Sequence, residues 1–289
     1  MRPEKIEFLN NIPVKAKVLR IENYPYHWHD ALEIIQVLRG SVNISLGNDN
    51  LSLKENDIAI VNMNELHRLT QADSENEVLL ISIDPNYYQS LLPDQGYLFL
   101  YCCSAYHQGR ALEKYEVLKN HISRLLKALS ETSCQDNRDT ILNHLQTMLA
   151  YLTYNFDFLR YGYGTVAFEE KQVARLKRIA EYIYHDRNFD SKSGLKHLAA
   201  EVDVSLYHLS HDIKSKFGFT FQELLFYSRI EQAAKLLLSS DRRIVDITWE
   251  CKFSDPKYLI KHFKQCFGLT PSEFRKRYKA DNQVLAFSN

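Results

Sequence analysis

A chain of 289 residues is long for a single all-α domain and suits two domains of about 100–200 residues each. Hydrophobic residues make up 45% and aromatic residues 12%, which excludes collagen-like, low-complexity and largely disordered chains. The net charge is zero, but residues 1–170 carry 15 basic and 22 acidic side chains, whereas residues 171–289 carry 21 and 14. This asymmetry predicts that the C-terminal half binds an anion and the N-terminal half does not.

The sequence shows neither a membrane span nor a secretory signal. No apolar run approaches the roughly 18–20 residues that cross a bilayer, and the N-terminal segment lacks an apolar core. We therefore expect a cytoplasmic protein with no membrane partner. The five cysteines include no C-x-x-C pair, so we expect packing or surface thiols rather than a zinc or redox site.

Short strands are predicted between about residues 14 and 83. The segments VKAKVLRI, LEIIQVLRG, SVNISLG, LSLKEND, IAIVNM and EVLLISI are β-branched or alternating and are separated by turn residues. Short strands at close spacing are typical of a small barrel or sandwich. We assign residues 1–106 to this domain.

Two amphipathic helices are predicted in residues 107–160, because apolar residues recur there at spacings of three and four. The stripe comprises Leu118, Ile122, Leu125, Leu129, Ile141, Leu145, Met148, Leu149 and Leu152. We expect this hairpin to pair with its twin in a homodimer; the alternative is that the stripe packs on its own barrel. Residues 161–170, with Gly162 and Gly164, are predicted to form a linker.

Residues 171–280 are predicted to be helical and contain an internal repeat, followed by a tail at 281–289. LAAEVDVS at 198–205 aligns with ITWECKFS at 247–254, and KFGFTFQEL at 216–224 aligns with CFGLTPSEF at 266–274. The repeat predicts two helix-turn-helix units, about 190–218 and 240–268, joined by one long helix. The second helix of each unit is expected to begin after a capping residue, Ser205 or Asp255, and to end at Gly218 or Gly268.

Two helix-turn-helix units favour binding to double-stranded DNA, because the second helix of such a unit fits the major groove. Residues 242–279 carry ten basic and four acidic side chains, which predicts strongly salt-dependent affinity. The alternative is a solvated helical bundle with a mildly basic face.

The segment ITWECKFSDPKYLIKHFKQCFGLTPSEFR, residues 247–275, resembles the signature of AraC/XylS-type transcription regulators. The resemblance covers about residues 175–280 and implies a sequence-specific regulator, an activator of promoters that works with RNA polymerase. One departure concerns Lys252, where the family usually has glycine. A lysine in a left-handed turn costs about 1 kcal/mol relative to glycine, unless the turn adopts another geometry.

The resemblance also implies which residues contact bases. These positions also point away from the packing face, which we expect to hold Leu209, Ile213, Tyr258, Leu259 and Phe263. Lysine donates to guanine or to phosphate, whereas Pro256 offers only van der Waals contact, so the second unit is expected to contribute more. The base-contacting positions are Tyr207, Ser210 and His211 in the first unit, and Pro256, Lys257 and Lys261 in the second.

A second motif lies in the predicted barrel. His27, His29, Glu33 and Gly40 fit H-x-H-x3-E-x6-G, and His67 follows in NMNELH, predicted at the end of a later strand. Alternation places His27 and His29 on one face of a strand. Three imidazoles and a carboxylate suit iron, manganese, nickel or zinc, and the pattern resembles the metal motif of cupin barrels.

Three hypotheses remain open for this motif: a metal site, an organic effector site and purely structural histidines. AraC-type sensor domains often resemble cupins while binding a small effector, so we expect an effector, such as a sugar, and no cofactor. Its expected contacts are Trp28, His29, Glu33, Arg39 and His67; the metal hypothesis uses His27, His29, Glu33 and His67.

The fold predicted from the sequence is therefore α+β with two domains: a cupin-like barrel followed by a helical hairpin, then an all-α double helix-turn-helix. The favoured function is a DNA-binding transcription regulator without catalytic residues. The alternative is a metal-dependent cupin enzyme, a dioxygenase or isomerase, with a helical appendage. A third hypothesis is an architectural DNA-binding protein.

Overall fold

The computed structural model describes residues 4–8, 12–46, 49–91, 100, 102–107, 113–131, 137–156, 170–185, 194–217 and 219–279. The chain divides into two compact units, one ending at Tyr161 and the other beginning at Gly162. The glycines of the predicted linker, the tail at 281–289, Cys134 and Gly218 lie outside the described residues.

The N-terminal unit contains two antiparallel four-stranded sheets, which confirms the predicted β-rich domain. The strands are β1 Val14–Leu19, β2 Asn23–His27, β3 Leu32–Arg39, β4 Ser41–Leu46, β5 Asp49–Lys54, β6 Ile58–Val61, β7 His67–Gln71 and β8 Glu77–Ile83. Their orders in the two sheets are β1-β8-β3-β6 and β2-β7-β4-β5. Strands β2 and β7 are not among the predicted segments, because NYPYH contains a proline and HRLTQ is largely polar.

Apolar side chains from both sheets form one core between them. Strand β3 directs Ile35 and Val37 into this core, and β8 directs Val78 and Leu80 into it. The remaining buried members are Ile21, Val42, Ile44, Leu53, Ala59, Val61, Leu69 and Cys103. Alternation along each strand therefore fills the inside of the barrel with branched side chains.

A helical hairpin covers the outer face of the β1-β8-β3-β6 sheet. Helix α1 spans Pro85–Ser90, and a 3-10 turn spans Ser104–His107. The hairpin consists of α2 at Glu113–Ser130 and α3 at Arg138–Phe156. Its leucine stripe belongs to the same buried cluster as the outward side chains of the sheet, which include Leu32, Ile34, Ile58, Ile60, Leu79, Ile81 and Ile83.

The stripe packs on its own barrel, which is the alternative given above, and pairing of the hairpin with a twin stays a prediction. Leu118, Ile141 and Leu145 are each 0% exposed in the single chain. The hairpin is therefore part of the barrel unit rather than a separate domain, since the two share one core.

The C-terminal unit is helical, as predicted. The helices are α4 Glu170–Ala180, α5 Gly194–Glu201, α6 Leu206–Phe217, α7 Phe221–Ser239, α8 Ile244–Glu250, α9 Pro256–Phe267 and α10 Pro271–Lys279, and a π-helical turn at Glu181–His185 follows α4. The two helix-turn-helix units are α5–α6 and α8–α9, and α7 is the long helix that joins them.

The repeat extends to the backbone of the turns. In the first unit the Val204 N–H donates to the Ala199 carbonyl at 3.0 Å, and Asp203 has φ 51°. In the second unit the equivalent bond links Phe253 to the Thr248 carbonyl at 3.0 Å, and Lys252 has φ 58°. Both turns are left-handed helix ends of the Schellman type. Lys252 therefore occupies the left-handed position itself, and the turn has not adopted another geometry.

Helix caps repeat as well. The Ser205 hydroxyl accepts from the His208 N–H at 3.2 Å, and the Asp255 carboxylate accepts from the Tyr258 N–H at 2.8 Å. Gly268 ends α9 with φ 71° in the left-handed region. These contacts confirm the predicted ends of the second helices wherever the structure describes them.

Replacing Lys252 with glycine should stabilise the C-terminal unit. Glycine removes the left-handed strain, so we expect the free energy of unfolding to rise by about 1 kcal/mol. Calorimetry of the full chain measures this free energy. The unfolding transition that shifts when DNA is added is the one that belongs to the C-terminal unit. Lys276→Gly, an exposed position inside α10, is the control and should destabilise by about 1 kcal/mol. An unchanged or lower stability of Lys252→Gly would contradict the strain.

Candidate functional site

The second helices of the two units, α6 and α9, present matched exposed faces. Tyr207 and Lys257 occupy equivalent positions fifty residues apart, as do His211 and Lys261, and all four side chains are exposed. Tyr207 is 77% exposed, and its ring stacks on His211 with an interplanar angle of 13°. Ser210 is also exposed, while Pro256 is partly buried in the first turn of α9. We call α6 and α9 the recognition helices.

The opposite face of each recognition helix packs into the core. Leu209, Ile213, Leu259 and Phe263 are each 0% exposed, as the sequence analysis expected. The assignment of Tyr258 to this face is wrong, because its side chain is 43% exposed. Adjacent helical residues are about 100° apart, so Tyr258 lies at the margin of the buried stripe.

Tyr258 belongs to a partly exposed aromatic cluster beside α9. Its ring lies 4.3 Å from the His262 ring and 6.2 Å from the Phe253 ring, measured between centroids. Phe226 of α7 contacts the same group, at 5.1 Å from His262. The cluster therefore links α9 to the long joining helix.

The basic residues of the C-terminal unit fall into two classes. Arg242 pairs with Glu250, and Arg243 pairs with Asp246 at 2.9 Å. In contrast, Lys257 and Lys261 form no ion pair with any residue that the structure describes. The lysines of α9 are therefore the basic groups best placed to meet an external anion.

Ion pairs also hold the first recognition helix. Arg175 of α4 donates to the Asp212 carboxylate at 2.9 Å, and the Asp212 side chain is largely buried. Arg178 of α4 contacts Glu201 of α5 at 2.6 Å. Helix α4 therefore orients the first helix-turn-helix unit from its core side.

The barrel brings together the residues of the histidine motif. His27 is the last residue of β2 and pairs directly with His67, the first residue of β7. Glu33 comes from β3, in the other sheet. His29 lies two residues beyond the end of β2, so its predicted place on one strand with His27 is wrong. Strand β2 ends at His27, and the side chains of all four motif residues are buried.

Each histidine ring is oriented by a backbone carbonyl. The Nδ1 atoms of His27, His29 and His67 lie 2.9, 3.0 and 2.9 Å from the carbonyl oxygens of Pro25, Ala31 and Glu65. A carbonyl oxygen only accepts, so each Nδ1 carries the proton. In the neutral rings the lone pair is therefore on Nε2.

Two of these nitrogen atoms, Nε2 of His29 and Nε2 of His67, face the Glu33 carboxylate, whereas Nε2 of His27 faces Glu4. One ligand atom from each histidine lies within 4.8 Å of the other two. Glu33 Oε2 is 3.7 Å from His29 Nε2 and 3.5 Å from His67 Nε2. All three of these atoms are buried without a hydrogen-bond partner. The other oxygen, Oε1, accepts from the Ser82 hydroxyl at 3.4 Å.

Burial and mutual contact shift the pKa values in this cluster. Burial and the neighbouring His67 lower the pKa of His27 well below its usual value. Burial would raise the pKa of Glu33, but contacts with His29 and His67 outweigh it and hold that pKa well below its usual range. Burial would lower the pKa of His29, and contact with Glu33 raises it instead. The cluster therefore contains an ionised carboxylate facing imidazole nitrogens.

An N-terminal carboxyl group also approaches the cluster. Glu4 Oε2 lies 3.4 Å from His27 Nε2, and the Tyr24 hydroxyl donates to Glu4 at 2.9 and 3.0 Å. The Glu4 N–H donates to the Trp28 carbonyl at 2.9 Å. Burial and Glu4 together raise the pKa of Tyr24 above its usual range. Sequence spacing gave no signal for Glu4, Tyr24 or Ser82, because none of them belongs to the motif.

Two expected effector contacts are not part of this cluster. Arg39 ends β3, six residues from Glu33, which is about 20 Å along a strand, and its side chain is exposed. The expectation that Arg39 contacts the same ligand as Glu33 is therefore wrong. Trp28 is 8% exposed and lies between His27 and His29 in the chain, but it provides no hydrogen bond to the cluster among those that the structure shows.

Comparison with known proteins assigns both units. A family model described as an AraC-like ligand binding domain matches residues 20–146, and one described as a helix-turn-helix domain matches residues 198–277. The chain belongs to the AraC/XylS-type family of regulators. The resemblance found in residues 247–275 is thereby confirmed. The chain is therefore a DNA-binding transcription regulator with a ligand-binding N-terminal domain.

Two curated relatives span almost the whole regulator. It is 24% identical over 275 residues to VirF of Shigella flexneri, a virulence regulon transcriptional activator, covering 93% of this chain and 97% of VirF. It is 24% identical over 255 residues to the HTH-type transcriptional activator RhaS of Yersinia pestis, covering 88% and 90%. The crystal structure of ToxT from Vibrio cholerae O395 is 14% identical, with a TM-score of 0.47, covering 92% of this chain and 98% of ToxT.

None of the described helices of this regulator is both long and apolar enough to span a membrane.

Cys102, Cys103 and Cys251 are buried, and Cys266 is partly buried, as expected for packing thiols.

Replacing Asp255 with alanine tests the N-cap of the second recognition helix. The Tyr258 N–H loses its acceptor, so we expect the free energy of unfolding to fall by about 1 kcal/mol. DNA affinity should fall too, since the same turn carries Lys257. Glu55→Ala, which removes an exposed carboxylate from a turn of the barrel unit, is the control and should change neither quantity. Equal stability of Asp255→Ala and the parent chain in calorimetry would refute the capping role.

Proposed function

We propose that this regulator is a sequence-specific activator that binds double-stranded promoter DNA through α6 and α9 and responds to a small ligand in its barrel. One observation carries the DNA-binding part of the proposal. Two helix-turn-helix units repeat down to their turn hydrogen bonds, and each presents an exposed face on its second helix. A helix of this kind fits the major groove, and two of them extend the recognised sequence.

The two recognition helices differ in chemistry. Helix α9 offers Lys257 and Lys261, which donate to guanine or to phosphate, whereas α6 offers a phenol and an imidazole at the equivalent positions. We infer that the second unit supplies most of the electrostatic affinity. The first unit then contributes through the stacked Tyr207 and His211 pair.

Activation is supported by the relatives, since VirF and RhaS are both named transcriptional activators. The same relatives favour the regulator over the cupin enzyme hypothesis. We propose accordingly that the chain acts in the cytoplasm and works with RNA polymerase at its promoters.

Homodimerisation remains part of the proposal, with a changed interface. Because the leucine stripe is buried within the chain, a dimer formed through the hairpin would use the surface of the hairpin that remains exposed. That surface includes Tyr154, which is 73% exposed near the end of α3. Pairing would place four recognition helices on one DNA and raise the affinity through effective concentration.

The ligand is proposed to bind at the polar end of the barrel interior. Buried branched side chains occupy the space between the sheets, so the unpartnered polar atoms of His29, Glu33 and His67 mark the site. A sugar needs room and an exposed ring for stacking, and Trp28 is almost fully buried. These features favour a ligand much smaller than a sugar.

Replacing Lys261 with alanine tests direct base contact. Full-length protein first selects its sequence from random DNA, and fluorescence anisotropy then compares selected with random duplexes. We expect affinity for the selected sequence to fall by about 1–3 kcal/mol, with relaxed preference at one base pair. Lys127→Ala, an exposed lysine of α2, is the control for loss of charge. An equal loss on both duplexes would assign Lys261 to phosphate instead.

A comparison of double variants tests the difference between the units. We expect Lys257→Ala with Lys261→Ala to flatten the dependence of affinity on salt, because two positive charges are lost from the surface that meets the DNA polyanion. Tyr207→Ala with His211→Ala should weaken binding while leaving the salt dependence unchanged at neutral pH. Salt titrations by fluorescence anisotropy distinguish the two pairs. Absence of salt-dependent DNA binding in the parent chain would refute the proposed function itself.

A further inference from the structure

We infer that the barrel ligand is a divalent transition metal ion, bound by three imidazole nitrogens and one carboxylate. The inference rests on the proposed function in treating the barrel as a ligand-binding domain, and it names the ligand class. The proposed ligands are His27, His29 and His67 through Nε2, and Glu33 through Oε2.

Backbone hydrogen bonds set the direction of the lone pair in each histidine ring. Each Nδ1 donates to a backbone carbonyl at 2.9–3.0 Å, so each ring keeps its other nitrogen for a different partner. Metal-ligating histidines are usually fixed in this way, by a carbonyl or carboxylate on the nitrogen that does not bind the metal. Three independent loops and strand ends provide the same arrangement here.

Buried polar atoms that lack a hydrogen-bond partner lower the stability of the folded state. His29 Nε2, His67 Nε2 and Glu33 Oε2 are buried, and none of them has a hydrogen-bond partner. Their relative exposures are 1%, 0% and 3% by residue, so bulk water does not solvate them. Buried polar atoms without partners are rare in proteins, and a cation satisfies all three at once.

The distances between the ligand atoms also fit a metal ion. Two ligands of a tetrahedral ion, each about 2.1 Å from it, are about 3.4 Å apart. Glu33 Oε2 is 3.5 Å from His67 Nε2 and 3.7 Å from His29 Nε2. One ring nitrogen of each histidine lies within 4.8 Å of the other two, which is wider than the spacing around a bound ion, so we expect the rings to move inward when an ion binds.

The ligand set indicates the class of ion. Imidazole nitrogens suit zinc, nickel, cobalt, copper and iron, whereas magnesium and calcium prefer oxygen ligands throughout. Glu33 provides the negative charge, and Ser82 supports its second oxygen. The Glu4 carboxyl group beside His27 adds a further oxygen donor at the edge of the cluster.

The ion would join the two sheets of the barrel. His27 and His67 belong to β2 and β7 in one sheet, and Glu33 belongs to β3 in the other. Binding to the folded state alone stabilises it in proportion to the logarithm of ligand concentration over Kd. The unfolding temperature of the N-terminal unit should therefore rise with metal concentration.

Direct binding to the full-length chain is the test. Protein stripped with a chelator is dialysed against Zn²⁺, Ni²⁺, Co²⁺ or Mg²⁺, and bound metal is measured by mass spectrometry of the elements. We expect one Zn²⁺ or Ni²⁺ per chain, visible absorption bands with Co²⁺, and no retention of Mg²⁺. Absence of Zn²⁺, Ni²⁺ and Co²⁺ binding would overturn the inference and show that the cluster is a structural ion pair.

Variants identify the ligands. His29→Gln and His67→Gln should each weaken Zn²⁺ binding by at least about 10–100-fold, the loss usual for removing even a supporting partner of a ligand. His197→Gln, with a 70% exposed side chain in the C-terminal unit, is the matched control and should bind as the parent does. Unchanged binding in both barrel variants would assign the metal to another place and overturn the inference.

A measurement on the unmodified chain covers the case in which a barrel variant fails to fold. X-ray absorption of the zinc-loaded protein should show nitrogen and oxygen ligands at about 2.0–2.2 Å, with imidazole scattering. A sulfur shell at about 2.3 Å would indicate the cysteines and overturn the assignment. DNA binding is measured on the same preparations. A chain that binds DNA but retains no metal ion after the dialysis would refute this inference alone, whereas a chain that binds metal but not DNA would refute the proposed function.

Discussion

Burial of β3 on both faces is the constraint on which the N-terminal unit depends. Ile34 faces the helical hairpin, while Ile35 and Val37 face the barrel interior, and all three are 0% exposed. A strand buried on both sides needs a cover on each, so the leucine stripe of α2 and α3 is committed to the sheet. The same alternation turns Glu33 inward, where His29 and His67 approach its Oε2.

The C-terminal unit depends on a different constraint, the left-handed turn between the helices of each unit. Asp203 and Lys252 hold positive φ, and the following residue in each turn donates back to the preceding helix at 3.0 Å. The turn fixes the angle between the first and second helices. The capping residue then sets where the second helix begins, and thereby which side chains occupy its exposed face.

The sequence predicted local features well and spatial relations poorly. The repeat, the caps at Ser205 and Asp255, and the strands with clear alternation were all predictable, because each depends on neighbouring residues. The hairpin was correctly predicted, but the surface on which its stripe packs was left open, since an apolar stripe does not indicate which apolar surface covers it. Tyr258 lies at the margin of a helical stripe, where periodicity alone does not distinguish buried from exposed.

The candidate site shows the same limit. The motif correctly brought His27, His29, Glu33 and His67 together, although its geometry was wrong, because His29 follows the end of β2. Arg39 was included on chemistry alone, and the length of β3 separates it from the cluster. Glu4 approaches His27 from a distant part of the chain, which no local pattern predicts.

The two units carry their unsatisfied polar groups at different cost. Lys257 and Lys261 are exposed, so water solvates them and DNA replaces that water when it binds. The unpartnered atoms of His29, Glu33 and His67 are buried, where each lost partner costs about 1–3 kcal/mol. The exposed lysines therefore need no partner within the protein, whereas a partner for the buried atoms would stabilise the barrel. Binding of the proposed ion would raise the stability of the N-terminal unit, while the recognition helices are held by their own caps and turns.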